Sequence, residues 1–576
     1  SNRRTAAMGQ ASCSCSCENE VGKSVFHDRV AEEHFPSSAR FDIAPDGSEE
    51  ECQEKSPGEN GQMGEAITDK ASVRTRNSSG DSNIMTLGSM GSQLASLAGA
   101  STRPTHLKHI LDPDVELLRG IPLTETLQFG ASVWRYSPET STMEQRVALY
   151  NRSKPVEQLD VFVSHTWWTP GWQKAIAIYL QTMAWRLLAL WCFFVSIFFP
   201  LAARGDLPSV LVYEADIGDF QESCPLGCSI FVAGMLGPIL TSCAMLQLPS
   251  ACLSSPLCFV DVACIHQEDP SLMSRGVKGI GGFLAVASEL RILWSPPYLS
   301  RLWCIFELGA FRIANPTGKV TLAPLFLELA VICLWAFLVF ANVIFYVLRS
   351  GLNGLTIVTY TVWLIPLPLG LHAVRKNLVA KHQLVKDLEN FDFSAVKCYS
   401  ETDRDFIQSA IAEWYGNEEA FTRYVQGPLR NEMLADIRTV SLRVPYVLLL
   451  ATTTMSVSLE TMAALWRCGA SFDILFSWCV GLILGSNLVW VSLCAFLGLS
   501  LADRFAEAWW SNPICDCLQT LAISIVIAAS IFLPARLGNL AVALGPWVSI
   551  AWASFGLTLM GLFLRRRCRL EGSSRP

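Results

Sequence analysis

Residues 290–311 read LRILWSPPYLSRLWCIFELGAF, and the fold turns on how they are parsed. The apolar run 290–294 has the length and composition of a buried strand. Ser295, Pro296 and Pro297 end it, because a proline pair cannot remain in a β-ladder. A helical pattern follows. Leu302, Ile305, Phe306, Leu308 and Ala310 share an apolar stripe, and the same spacing sets Glu307 one turn into the helix. A carboxylate just past the C-terminal end of a buried strand lies where open α/β sheets bind their ligands.

The surrounding chain is that of a membrane protein. Its 576 residues are 51% hydrophobic and 16% charged, with a mean hydropathy of +0.33. Soluble domains carry about 25% charged residues, so the first expected partner is the lipid bilayer. A net charge of −7 and a pI of 5.7 give no basis for nucleic-acid binding. The 20 cysteines are scattered, several inside apolar runs, which argues against a secreted disulfide scaffold. Residues 1–104 are rich in Ser, Gly and acidic side chains and read as a disordered tail. Its Cys13, Cys15 and Cys17 lack the spacing of a zinc site, and no metal is expected.

Eight apolar stretches are long enough to cross a bilayer: 183–203, 228–248, 322–348, 355–371, 444–465, 474–499, 518–533 and 540–564. The short loops after the first, third, fifth and seventh hold one Arg each (Arg204, Arg349, Arg467, Arg536). The opposite side holds Arg375, Lys376, Lys381, Lys386, Lys397 and further cations, together with the Arg565–Arg569 cluster of the tail 565–576. Excess Lys and Arg mark the cytosolic side. An integral membrane protein with both termini in the cytosol is therefore expected. The loop 204–227 carries five acidic residues against a single Arg.

Three cytosolic segments remain. In the first, 105–182, the run LDVFVSH at 159–165 alternates as a strand, and Trp172, Ala175, Ile176, Tyr179 and Leu180 repeat at helical spacing. In the second, 249–321, LCFVDV at 257–262 reads as a strand and ACIHQEDP at 263–270 as a loop. Residues 271–288 read as a helix loosened by four glycines, and the 290–311 unit completes the segment. The third, 372–443, reads as mostly helical. One helix begins at Thr402 and ends at Gly416, and another begins at Asn417 and stops near Gly427.

Taken together these pieces give the alternating strands and helices of a parallel α/β sheet. The sequence here resembles a Toll/interleukin-1 receptor (TIR) domain. Asp160–His165 matches that family's opening strand, Phe259-Val260-Asp261 its second-strand signature, Ser295–Tyr298 its S-P-x-Y turn, and Trp303–Leu308 its W-C-x-x-E-L helix start. The match covers about a quarter of the chain, within ordinary domain size. It implies a flavodoxin-like sheet built from discontinuous segments beside about eight transmembrane helices. The hairpin 183–248 interrupts the domain, and a second, 322–371, stands where the family's fourth strand belongs. Residues 391–398 then offer a late strand and 403–415 its helix.

The resemblance also implies a chemistry. In TIR domains that cleave NAD⁺, the glutamate four residues after the tryptophan is catalytic, and Glu307 holds that place. NAD⁺ would be a substrate, and no cofactor is required. Trp303, Trp167 and Trp168 would supply a stacking wall, with His165, Asp261 and His266 as further contacts. Many members only self-associate, so homo-oligomerisation through this domain is the companion expectation. Two other classes stay open. Glu328, Glu460 and Asn487 lie within apolar segments, the mark of an ion channel or transporter. A membrane scaffold without chemistry would use Glu418 to Arg443 and the acidic N-terminal tail for partners.

Overall fold

The computed structural model describes residues 110–135, 141–248, 254–351, 366–398, 400–435, 443–509 and 512–572. The tail with its CSCSC run and most of the 355–371 stretch lie outside these residues. The described chain contains a six-stranded sheet, a separate two-stranded hairpin, and a set of long apolar helices.

The strands are β1 (Arg119–Pro122), β2 (Lys154–Pro155), β3 (Leu159–His165), β4 (Leu211–Ile217), β5 (Phe220–Leu226), β6 (Leu257–Phe259), β7 (Ala287–Trp294) and β8 (Lys319–Pro324). The large sheet has the order β2-β1-β6-β3-β7-β8. Its last four members are parallel, and β1 and β2 extend it antiparallel at one edge. Among the parallel strands the first in sequence is flanked by the second and third, and the fourth lies outermost. This is the order of a doubly wound sheet, in which the crevice between first and third strands is the ligand edge. The register runs from Leu159↔Ala287 to His165↔Leu293, so β3 and β7 end level with each other.

The fourth strand sits where a membrane span was expected to begin. Lys319–Pro324 pairs with β7 from Glu289↔Lys319 to Trp294↔Pro324, and the helix starts only at Leu325. The apolar run is continuous across this junction, so periodicity alone cannot divide strand from helix. Residues 391–398 supply no strand of the sheet. They contribute one isolated bridge, Arg301↔Lys397.

The long helices are α1 (Gly171–Arg204), α2 (Ser229–Leu246), α3 (Leu302–Ala314), α4 (Leu325–Gly351), α5 (Pro366–Glu389), α6 (Glu401–Tyr415), α7 (Val444–Arg467), α8 (Phe472–Arg504), α9 (Pro513–Ala543) and α10 (Pro546–Gly572). Among the described residues seven helices, α1, α2, α4 and α7 to α10, are long and apolar enough to cross a membrane. Their outer faces expose Phe193, Leu240, Ile525, Leu533, Phe555 and Leu557. Apolar surface of this extent has no place in water and marks an integral membrane protein.

Three local expectations shift. The acidic stretch after the first span is a hairpin. Tyr213, Ala215 and Ile217 point inward while Glu214 and Asp216 point out, and Gly218 (φ 60°) makes the two-residue turn. Helix α6 starts one residue early, with Ser400 accepting from the Asp403 amide. Finally, Gly427 and Pro428 do not end the helical stretch after Asn417, because a π-turn, Val425–Leu429, carries the chain through them.

The sheet is tied to the membrane helices through α1 and α4, which grow directly out of sheet connections, and α5 is clasped by charge to the ends of α8 and α9. Arg375, fully buried, lies 3.0 Å from Asp516, and its Nε donates to the Phe505 carbonyl (2.7 Å). Lys376 reaches the same Asp516 at 2.6 Å, and Lys381 reaches Asp503 at 2.5 Å. The packing also dictates one glycine. A Cβ on Gly171 would stand 1.7 Å from the Trp134 carbonyl oxygen. Gly171→Ala is expected to destabilise by about 1–3 kcal/mol, as overpacking does, and to lower the melting temperature. Gly427→Ala, which meets nothing within 4 Å, is expected to leave it unchanged. Equal melting of both variants would remove Trp134 from the start of α1.

Candidate functional site

The C-terminal ends of β3 and β7 meet at the crevice of the doubly wound order, and polar side chains converge there. From β3 come Ser164 and His165, both buried. From the turn after β7 come Ser295 and Tyr298, and from α3 comes Glu307. The α3 helix turns Leu302, Ile305, Phe306 and Leu308 into the core, which leaves Glu307 facing the strand ends.

The contacts form a chain. The Tyr298 hydroxyl lies 2.6 Å from Ser164 Oγ, and Ser164 Oγ donates to Glu307 Oε2. Burial pushes the Glu307 carboxyl from 4.5 up to about 8. The Ser164 hydrogen bond opposes this rise, and the charge of Asp261 adds to it. Tyr298 is held well above the usual phenol range, by burial and then by the charges of Cys304 and Glu307, and stays a neutral donor.

A second group adjoins the first. Asp261 follows β6. Its Oδ2 accepts from the Trp167 indole (2.9 Å) and its Oδ1 accepts from the Val262 amide (2.7 Å). Burial works against the Asp261 anion, but His165 and these donors outweigh it and hold the carboxyl below its ordinary value. His165 Nε2 is 3.5 Å from Asp261 Oδ1, an ion pair only when the ring is protonated. Neither of its ring nitrogens makes a hydrogen bond, although both are buried. Burial and the nearby Lys174 charge lower the His165 pKa, so the ring is neutral at neutral pH. The Lys174 ammonium lies 4.9 Å from the Trp167 ring centre.

Of the residues singled out by sequence, Glu307, Asp261, His165 and Trp167 come together. Trp168 sits beside them on the surface, with the Arg301 guanidinium 4.4 Å over its ring. Trp303 and His266 do not join. Trp303 packs on Phe306 and Phe406 and donates to Asp403 (3.2 Å), so it binds α6 to α3. His266 accepts from the Asp269 amide (3.0 Å) and rests edge-on against Tyr150. Cys304 is buried, donates to the His165 carbonyl, and is held well above the thiol range by burial and then Glu307, so it remains an inert thiol.

Sequence reasoning passed over Ser164, Tyr298 and Lys174. The first two lie within motifs that were read for their neighbours. Lys174 had a signal of its own, a charge three and four residues before Ala177 and Ile178 on the buried face of α1.

The acids within the membrane segments are held by other partners. Glu460 accepts from the Ile230 and Phe231 amides (2.6 and 3.3 Å) and so caps α2, whose own N-cap residue Cys228 makes no side-chain bond. Glu328 accepts from Gln181 (3.0 Å) and Tyr446 (3.2 Å). Asn487 donates to Ser458 (2.6 Å). The three do not share one cavity, and of them only Asn487 lines the large space within the bundle.

The raised Glu307 carboxyl links stability to pH. Its folded pKa, about 8, exceeds the 4.5 of an ordinary glutamate, so the folded state holds the proton more tightly. The stability this provides is complete below pH 4.5 and is lost as pH rises through about 8. Glu307→Gln keeps the shape without the titration. The melting temperature of the parent chain relative to this variant is therefore expected to fall between pH 5 and pH 9, and a constant difference would contradict the burial of the carboxyl. No protein-family model matches the chain, and no curated protein and no solved structure shows significant similarity to it.

Proposed function

We propose that the sheet domain hydrolyses the bond between nicotinamide and ribose in NAD⁺, with Glu307 as the catalytic carboxylate, on the cytosolic face of a membrane. Assembly of several copies on that surface, as in signalling domains of TIR type, is part of the same reading. The observation that carries it is the position of the Glu307 carboxyl. It stands at the crevice between the first and third parallel strands, gripped by Ser164 and adjoined by Asp261 and Trp167.

The balance is simple. NAD⁺ and water give nicotinamide, ADP-ribose and a proton. The bond from C1′ to the pyridinium nitrogen breaks, and its electron pair leaves with the ring, which becomes neutral. Positive charge develops on C1′ and the ribose ring oxygen until water adds. A carboxylate fixed beside that carbon in a low-dielectric recess stabilises this charge far more than one in water does. Ser164 orients the Glu307 oxygen, and Trp167, steadied by its bond to Asp261, offers an aromatic face to the departing ring.

The carboxyl is protonated at neutral pH in the free protein, and the cationic ring of the substrate favours its ionised form. Catalytic efficiency, kcat/KM, reports the free protein. It is therefore expected to rise with pH and level off above about 8, while kcat levels off at lower pH. Ser164→Ala removes a donor to the anion and is expected to move the kcat/KM profile to higher pH. Glu307→Gln is expected to lose at least about 100-fold, the scale of a main electrostatic contact. Nicotinamide release from the full chain in lipid nanodiscs is the measurement. Absence of release from the assembled parent protein, or release at the parent rate from Glu307→Gln, would sink the proposal.

A further inference from the structure

The membrane helices border a partly open cavity of about 340 Å³. Helices α4, α5, α7, α8 and α9 line it, and Tyr213 of the hairpin closes one end. This lies within the size range of ligand pockets, about 300–1,000 Å³. Its chemistry is graded along its length. Arg467, at the end of α7, donates to Ser209 beside the hairpin (2.8 Å), which fixes the direction of α7 and of α8 returning from it. In the half nearer the hairpin the wall carries Asn342, Ser458, Thr461, Asn487 and Asn539 together with Trp478 and Leu482. Toward the sheet it carries Leu334, Leu371, Val374, Leu450, Leu499 and Ile527. Among the described residues no Asp, Glu, Lys, Arg or His lines it.

The wall is also unusual in its backbone. Within α8 the segment Trp478–Trp490 is a π-helix of 13 residues, a form that elsewhere comes as single turns and gathers at functional sites. Ser486 bonds back five residues to the Gly481 carbonyl (3.1 Å), and Trp552 of α10 donates to the same Ser486 (3.1 Å) from behind. The widened coil sets Ser486, Asn487 and Trp490 into the cavity wall. Asn487 commits its N–H to Ser458 and keeps its carbonyl oxygen for another donor.

An ion would need charge or a ring of carbonyls here, and a fatty acid or phospholipid head would bring a charge that nothing in the wall neutralises. We infer that the cavity binds a neutral amphiphile, a hydrocarbon body bearing a hydroxyl group. The hydroxyl would lie at the Asn487–Ser458 pair and the hydrocarbon would run toward Leu371 and Leu499. The site is independent of Glu307 and of any chemistry there.

The test uses the full chain in phosphatidylcholine nanodiscs with two photoactivatable probes, a C16 alcohol and a sterol, both carrying a diazirine. Saturable labelling is expected on peptides of α8 and α9, and whichever probe labels identifies the kind of alcohol. Gly498 has room for a side chain, its nearest neighbour being Ile527 at 3.5 Å from an added Cβ. Gly498→Leu is therefore expected to narrow the hydrocarbon half of the cavity and weaken labelling without lowering the melting temperature. Asn487→Leu is expected to weaken the alcohol by about tenfold, the scale of one hydrogen bond, and to leave a C16 alkane probe unaffected. Labelling by neither probe would overturn the inference. So would undiminished labelling of a folded Gly498→Leu, or competition by palmitate equal to that of the alcohol.

Discussion

The parallel pairing of β3 with β7 is the contact on which the rest depends. It joins segments that lie far apart in sequence, with a membrane hairpin between them, and it sets Ser164 level with the strand that leads to Glu307. Closing so long a loop costs entropy that grows slowly with length, and here α1 and α2 reduce it further. They pack together as an antiparallel pair and return the chain to the side it left. The lipid hairpin thus acts as a folded connection, and the interruption of the sheet is smaller in space than in sequence. The same pairing brings Ser164 and His165 of β3 beside the turn that carries Tyr298, and all three are buried there.

Much of this was legible in the residues. The strand at 159–165 and the unit at 290–311 stand close to where their patterns put them, whereas the strand read at 257–262 stops at Phe259, Asp261–Cys264 turns helical, and β7 begins at Ala287 inside the helix read at 271–288. Glu307 was placed by spacing alone, since a helix stripe of known phase fixes where each side chain points. The misses have physical causes. β8 was absorbed into a membrane span because a buried edge of the sheet and a lipid-facing helix both read as unbroken apolar runs. Trp303 was expected in the site because its motif carries it, whereas its ring turns toward α6, a partner about a hundred residues away that no local pattern announces. The role of Glu460 as a cap for α2 was equally hidden, because the amides it satisfies belong to another helix.

The two halves of the molecule use polar groups in opposite ways. At the sheet crevice, hydroxyls, an imidazole and two carboxyls crowd together until their charge states are shifted, at the expense of stability that the surrounding core supplies. In the bundle, the acids accept hydrogen bonds from amides and a hydroxyl, and the space that remains is lined by uncharged groups. Between them runs the row of ion pairs from Arg375 to Lys386 with Asp516, Asp503 and Glu507, which fastens α5 to the ends of α8 and α9. Cations that the orientation argument had counted as free loop charge are in fact engaged in this seam.

Helix α1 has 34 residues, about 50 Å of rod at 1.5 Å per residue, against about 30 Å of hydrocarbon. Its first turns carry Lys174 beneath Trp167, and its last reach the hairpin side. One stiff element therefore has an end in each compartment, with the lipid as its fulcrum. Its angle to the bilayer is set by the helices packed against it, α2 and α7 first among them. The length that joins the crevice to the hairpin thus exceeds the hydrocarbon it crosses by about 20 Å.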